Sequence, residues 1–161
     1  VKLSTKGRYA VMAMADLSLA SDGRPVSLAA IARRQEISLS YLEQLFGKLR
    51  RNGLVKSVRG PGGGYLLARP PADIRVADII LAVDEPIEAT RCKPGSPQGC
   101  KANKSRCLTH DLWEELGHHI YRFLSAISLE DVCDKRVIGV ASRQFSTEAS
   151  GDDDPNLRVV R

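Results

Sequence analysis

Between Arg59 and Gly64 the chain reads Arg-Gly-Pro-Gly-Gly-Gly, a run that neither a helix nor a strand interior tolerates, because glycine loses the most backbone entropy and proline donates no amide. The chain must reverse there. On one side Leu54-Val55-Lys56-Ser57-Val58 alternates as a strand does, and on the other Tyr65-Leu66-Leu67-Ala68 returns as a second strand. These glycines do not make a phosphate-cradling loop. No Lys-Ser/Thr pair ends the run, and strand-like residues stand where such a loop needs a helix.

What precedes the hairpin is helical. Tyr9, Met12, Ala13, Met14, Leu17 and Ala20 recur at helical spacing behind Ser4 or Thr5, either of which suits a cap. After the turn cluster Ser21 to Pro25, Ser27 stands ahead of the helix-forming stretch Leu28 to Arg34. A third helix follows from the stripe Leu39, Leu42, Leu45, Phe46 and Leu49, with Ser40, Glu43, Gln44, Lys48 and Arg51 on its other face. Ser38 as cap and a Ser40–Glu43 capping box are both open for its start, and Asn52-Gly53 ends it. Two short helices with a tight connection also fit an ordinary helical hairpin. Followed by a glycine-tipped β-hairpin, they predict a winged helix-turn-helix, whose second helix enters the major groove of double-stranded DNA. Arg59, at the wing, is placed to reach a phosphate or a narrow minor groove.

Beyond the hairpin, Val76, Ile79, Ile80 and Val83 predict a fourth helix ending before Glu85-Pro86. From Thr90 to Arg106 almost nothing is apolar except the cysteines, and a structureless stretch of that length needs a reason. The ligand types supply one: Cys92, Cys100, Cys107 and His110 are soft to borderline donors suited to iron–sulfur clusters, zinc or copper(I). Leu108, Leu112, Leu116, Ile120, Phe123, Leu124 and Ile127 then form a stripe of about five turns, too apolar to stand free, which predicts a homodimer. Ser128 to Asp131 has capping-box spacing and starts a short helix. The fold class expected is mostly α with a small β-hairpin: a winged helix-turn-helix domain over 1–84, a cluster-binding loop over 85–110, and a long C-terminal dimerisation helix with a short terminal helix over 107–134. The polar segment 135–161, with Asp152-Asp153-Asp154-Pro155, is expected to be a disordered tail.

Charge agrees with this division. Residues 1–80 carry 13 Lys/Arg against 6 Asp/Glu and residues 81–161 carry 11 against 13, so the front half is +7 and the back half −2. A basic half favours a polyanionic partner without specifying a sequence. No run of eighteen apolar residues exists and the N-terminal stretch has no signal-peptide pattern, so no membrane association is expected and the compartment expected is the cytoplasm. Clustered cysteines there are metal ligands or redox groups more often than disulfides.

Leu3-Ser4-Thr5-Lys6-Gly7-Arg8-Tyr9-Ala10, Ile37 to Phe46, Val58-Arg59-Gly60-Pro61-Gly62-Gly63-Gly64-Tyr65, Val83-Asp84-Glu85, Thr90-Arg91-Cys92 and Cys107-Leu108-Thr109-His110 together resemble the IscR family of iron–sulfur cluster regulators, over residues 1 to about 135. The resemblance implies a homodimeric bacterial transcription factor that holds a 2Fe-2S cluster through Cys92, Cys100, Cys107 and His110, with the cluster-assembly machinery as donor and with cluster state selecting promoters. It also implies DNA contacts from Ser38, Ser40, Glu43 and Gln44 on the recognition helix and Arg59 at the wing, with Tyr41 and Pro61 nearby. One departure is in spacing. Seven residues lie between Cys92 and Cys100 and six between Cys100 and Cys107, against five and five in the family. The extra length costs only a few tenths of a kcal/mol in closure entropy.

Three other readings remain beside this one. A Cys3His set suits structural zinc as well as a cluster. The related nitric-oxide sensor NsrR uses three cysteines, which leaves His110 without a role. An enzyme has little support, because Cys-x-x-Cys is absent and no motif places a general base. Glu43 is the most informative residue of the recognition helix, since a carboxylate near phosphates is repelled unless it accepts a hydrogen bond from a base such as cytosine N4. Cys133 is expected to be a buried small residue, His118 and His119 to face solvent or packing partners, and Trp113 to make core or dimer contacts.

Overall fold

The computed structural model of the protein describes residues 3–92 and 95–149. Helix α1, Thr5–Ala20, is the central element, and it packs against the other elements of the N-terminal domain. Ser4 caps it by accepting the amide of Lys6. Its inner face, Ala10, Ala13, Met14 and Leu17, is fully buried. Helix α2, Leu28–Gln35, is capped by Ser27 and ends with Glu36 in the left-handed region at φ 54°. Ile37 turns into the core, and Ser38 then caps α3, Leu39–Arg51, by accepting the amide of Tyr41. Of the two starts open from sequence, the Ser38 cap is the one formed. Leu42, Leu45, Phe46 and Leu49 are buried as their spacing requires, but Leu39 is 42% exposed, because the first turn of α3 projects beyond the core.

The hairpin pairs β1, Val55–Val58, antiparallel to β2, Gly64–Leu67, in the register Val55 to Leu67 and Val58 to Gly64. At its tip Gly63 donates to the carbonyl of Gly60 at 2.9 Å, and Gly60 and Gly62 take φ values of 102° and 71°. A side chain on Gly63 would collide with the Val58 carbonyl, so the tip excludes any larger residue there. Val26 adds a bridge beside Tyr65, with amide–carbonyl bonds of 2.9 and 2.8 Å, and so fastens the wing to the segment entering α2. Phe46 meets the Tyr65 ring edge-on at 5.0 Å, joining the recognition helix to the same strand.

After a 3-10 turn at Pro71–Asp73 comes α4, Val76–Ala82, then the long loop, then α5, His110–Ala126. Helix α6, Leu129–Cys133, begins with the expected capping box between Ser128 and Asp131. The amide of Leu129 donates to the carbonyl of Ile74 and that of Val76 to Ile127, which closes the C-terminal segment onto α4. Leu129 completes the main core, and Cys133 is half-buried beside the Ala15 carbonyl. A last helix, α7, Val140–Ala149, falls within the segment from residue 135 expected to be a tail. Its Val140 packs on the small cluster of Val76, Ile80 and Ile127. Residues 150–161 of the expected tail lie outside the described residues.

Two buried carboxylates join elements distant in sequence. Asp16 on α1 takes a forked pair of hydrogen bonds from the Arg34 guanidinium and another from Gln35. Glu85, just past α4, accepts the amides of Ser4 and Gly7 at the start of α1, each at 2.5 Å. Burial pushes both carboxyls up, but these donors pull them further down, leaving both below the ordinary carboxylate range. A folded pKa below the unfolded one stabilises the fold above about pH 4, and that stabilisation is lost as pH falls through the folded value. Urea midpoints measured from pH 7 to pH 3 are therefore expected to fall on acidification. Glu85→Gln should be less stable than wild type at pH 7 and show a shallower acid decline; an equally steep decline would contradict this role.

Candidate metal centre and nucleic-acid interface

The first half of α3 presents Ser40, Glu43 and Gln44 to solvent. Ser38 lies at its start, its hydroxyl 3.2 Å from that of Ser40 and already committed to the cap. Tyr41 is half-buried, edge-on to Tyr9 at 6.1 Å, with its hydroxyl 3.5 Å from that of Thr5. Arg59 and Pro61 are exposed at the hairpin tip. Of the seven residues expected to face DNA, five thus fall at the start of α3 and two on the wing. Lys48, Arg50 and Arg51 add positive charge in the last turn of α3. Lys48 is paired with Asp84 at 2.7 Å, and the Arg50 guanidinium reaches the Ser57 hydroxyl on β1 at 3.4 Å.

The four expected ligands, far apart in the polar loop, come together. One donor atom from each of Cys92, Cys100, Cys107 and His110 lies within 4.8 Å of the others. Cys92 follows α4 and is buried, its amide held by the Thr90 hydroxyl. Cys100 sits in a tight turn, in which Gly99 donates to the Lys104 carbonyl and Lys101 to that of Ser105. A side chain on Gly99 would strike the Ser105 backbone, so glycine is required where the two limbs of the loop cross. Cys107 and His110 occupy the turn that opens α5, the amide of His110 donating to the Cys107 carbonyl at 3.1 Å.

The electrostatics of the group are uneven. Hydrogen bonds from Cys100 and Thr109 draw the Cys107 thiol down to about 7, whereas burial pushes the Cys92 thiol up. His110 is 1% exposed, and among the described residues neither ring nitrogen has a hydrogen-bond partner. An unmet buried donor or acceptor costs about 1–3 kcal/mol, which ligation to a metal would relieve. Three thiols and a stranded imidazole in contact are thus a donor set that fits a metal or cluster and is poorly satisfied without one.

Asp84, Glu85 and Glu114 also hold the site in place. Asp84 and Glu85 stand where the loop leaves α4, and they hold Lys48 of the recognition helix and the first turn of α1. Their partners lie dozens of positions away, so no local pattern announces them. Glu114 is different: its place four residues after His110, one helical turn on, was a readable signal.

A winged helix-turn-helix joined to a Cys3His donor set defines a DNA-binding transcriptional regulator with a group of side chains suited to a metal or cluster. Comparison with known proteins gives the family. The description "Rrf2: Iron-dependent Transcriptional regulator" matches residues 3–135, and the chain belongs to this family. It is 57% identical over 145 residues to the HTH-type transcriptional regulator IscR of Photorhabdus laumondii, covering 89% of this chain and 87% of that one. With IscR of Escherichia coli O1:K1 the identity is 51% over 150 residues, 92% and 91% of the two chains. Among solved structures, T. potens IscR aligns with TM-score 0.67 at 42% identity over 84% of this chain and 88% of that one. CymR, the global cysteine regulator of B. subtilis, aligns with TM-score 0.70 at 35% identity over 84% and 98%. These relatives are named as regulators, a non-enzymatic function, and with the donor set they point to an iron–sulfur cluster.

The uneven thiols give a direct test. In metal-free protein, alkylation of Cys107 is expected to rise with a midpoint near pH 7 and to outrun that of Cys133, whose thiol burial pushes up. Mass spectrometry after brief iodoacetamide exposure reads both sites, and faster labelling of Cys133 would refute the assignment.

Proposed function

We propose that the chain is a homodimeric cytoplasmic transcription factor that binds operator DNA through α3 and the wing and senses iron–sulfur supply through a 2Fe-2S cluster. Cys92, Cys100, Cys107 and His110 hold the cluster, which the assembly machinery delivers. The observation that carries this reading is the meeting of three thiols with a buried imidazole whose ring nitrogens have no hydrogen-bond partner among the described residues. When bound, the cluster supplies a redox-active, losable centre whose neutral imidazole ligand favours a higher potential than an all-thiolate set. The chain's own residues do the rest. Cys107 and His110 fix one side of the site to α5, and Cys92 fixes the other to the segment that begins at Asp84 and Glu85. That segment touches both the recognition helix and the start of α1, so a change in the loop has a short mechanical route to the DNA-binding face.

The dimer is supported by α5, whose buried residues are only His110 and Gly117 although it carries Leu112, Leu116, Ile120, Phe123 and Leu124. Leu112 is 60% exposed, and Ile120, Phe123 and Leu124 line an open groove with Val140 of α7. A second copy would cover this face. No helix among the described residues is long and apolar enough to cross a membrane.

A structural zinc ion is the second reading, favoured by the closeness of all four donor atoms, each within 4.8 Å of the others as around a single tetrahedral ion. Cys92 and Cys107 sulfurs are 3.9 Å apart, close to the edge of about 3.8 Å that a tetrahedral ion with Zn–S near 2.3 Å requires. Iron and sulfide analysis with a visible spectrum on anaerobically reconstituted protein separates the two. Two irons and two sulfides per chain, with colour, are expected, and Cys100→Ala should abolish both; colourless protein with one zinc would overturn the cluster.

On the DNA side, Glu43 is the residue that rejects sequences. Metal-free Glu43→Ala protein is expected to bind, about 5- to 100-fold more tightly than wild type, sites that the metal-free wild type refuses. Fluorescence anisotropy at fixed salt reads this, and unchanged rejection would remove Glu43 from the account.

A further inference from the structure

Fourteen residues separate Cys92 from Cys107, and a polar loop of that length samples many paths unless something outside it holds both limbs. The four ligands do not explain how the limbs are held when they bind nothing. Glu114, in the second turn of α5, does. Its Oε1 accepts the amide of Gly95, three residues after Cys92, at 2.7 Å. Its Oε2 lies 3.6 Å from the guanidinium of Arg106, one residue before Cys107, and 3.7 Å from Nε2 of His110. One carboxylate on a regular helix therefore meets the outgoing limb, the returning limb and a ligand. Asp111 also reaches Arg106, at 3.3 Å, but its side chain is 89% exposed and that of Glu115 60%, whereas Glu114 is 17% exposed and alone of the three also accepts the Gly95 amide.

We propose that Glu114 is a positioning residue of the metal centre, a clamp that assembles the ligand loop on α5 before anything is bound and sets a negative charge beside His110. Metal ligands commonly depend on such an outer carboxylate, which orients them and tunes the centre. The charge has a definite sign of effect. A carboxylate beside the cluster opposes an added electron and lowers the reduction potential, and the Arg106 guanidinium, which meets the same Oε2 as His110, raises it. The electrostatic half of this inference rests on the cluster reading above; the clamp half does not.

Hydrogen exchange on the metal-free full-length protein tests the clamp. Glu114→Ala should exchange amides of the 95–107 segment at least ten times faster than wild type while the cores of α1 and α3 stay unchanged. Glu114→Gln, whose side-chain carbonyl still accepts from Gly95, should remain near wild type. Equal loop exchange in wild type and Glu114→Ala overturns the clamp. On reconstituted protein, a spectroscopic redox titration should place Glu114→Gln above wild type and Arg106→Gln below it, opposite shifts that a merely structural role would not produce. An unmoved potential in Glu114→Gln overturns the charge role. Wild type that takes up no iron and sulfide overturns the cluster reading and the charge role together, while the exchange comparison still decides the clamp.

Discussion

The carboxylate of Glu85 sits where a side chain on residue 7 would otherwise be. A Cβ built on Gly7 would lie 2.5 Å from Oε2 of Glu85 and 2.9 Å from the Leu3 side chain. The acid satisfies two of the amide donors that every helix start leaves open, and it does so from the beginning of the ligand loop. Helix α1 packs against α2, α3, α4 and α6, so this contact fixes the central element of the N-terminal domain to the segment that carries Cys92. Asp84, one residue earlier and in the left-handed region at φ 57°, extends the same anchorage to Lys48 on α3. The segment carrying Cys92 and helix α3 are thereby joined by two adjacent acids.

The loop itself is a conflict resolved by chemistry. From Thr90 to Arg106 its composition offers almost no apolar side chains to bury beyond the cysteines, yet it leads into a fully enclosed imidazole. Burying an imidazole whose two nitrogens make no hydrogen bond among the described residues is costly. The cost becomes useful if a metal or cluster relieves it, because the site then holds its ligand with energy otherwise lost. Depression of the Cys107 thiol to about 7 acts in the same direction, since ligation needs a thiolate and this one is already half formed at neutral pH.

Helix α5 belongs to two environments at once. Its first turn supplies His110 and shelters the ligand loop, and its later turns carry an apolar face that the rest of the chain covers only in part. Phe123 and Leu124 rest on Val76, Ile80 and Ile127, while Leu112 and Tyr121 remain exposed. The same helix thus connects the four-donor group with a partly uncovered apolar surface.

Much of this was written locally. The helix caps Ser4, Ser27, Ser38 and Ser128, the glycine tip of the wing and the stripe of α3 depend on neighbours within four or five residues, so sequence by itself determined those elements and the order that makes a winged helix. It also determined the donor types at Cys92, Cys100, Cys107 and His110, because ligand chemistry is carried by side-chain identity. Tertiary structure alone decided that these donors meet, that Glu85 closes α1 across 78 positions and that Val26 lengthens the wing, because each depends on contacts between segments whose separation no periodicity encodes. It also decided burial at particular positions. Leu39 keeps its stripe position yet faces solvent beyond the edge of the core, and Val140, in a polar segment, packs on an apolar cluster from distant elements.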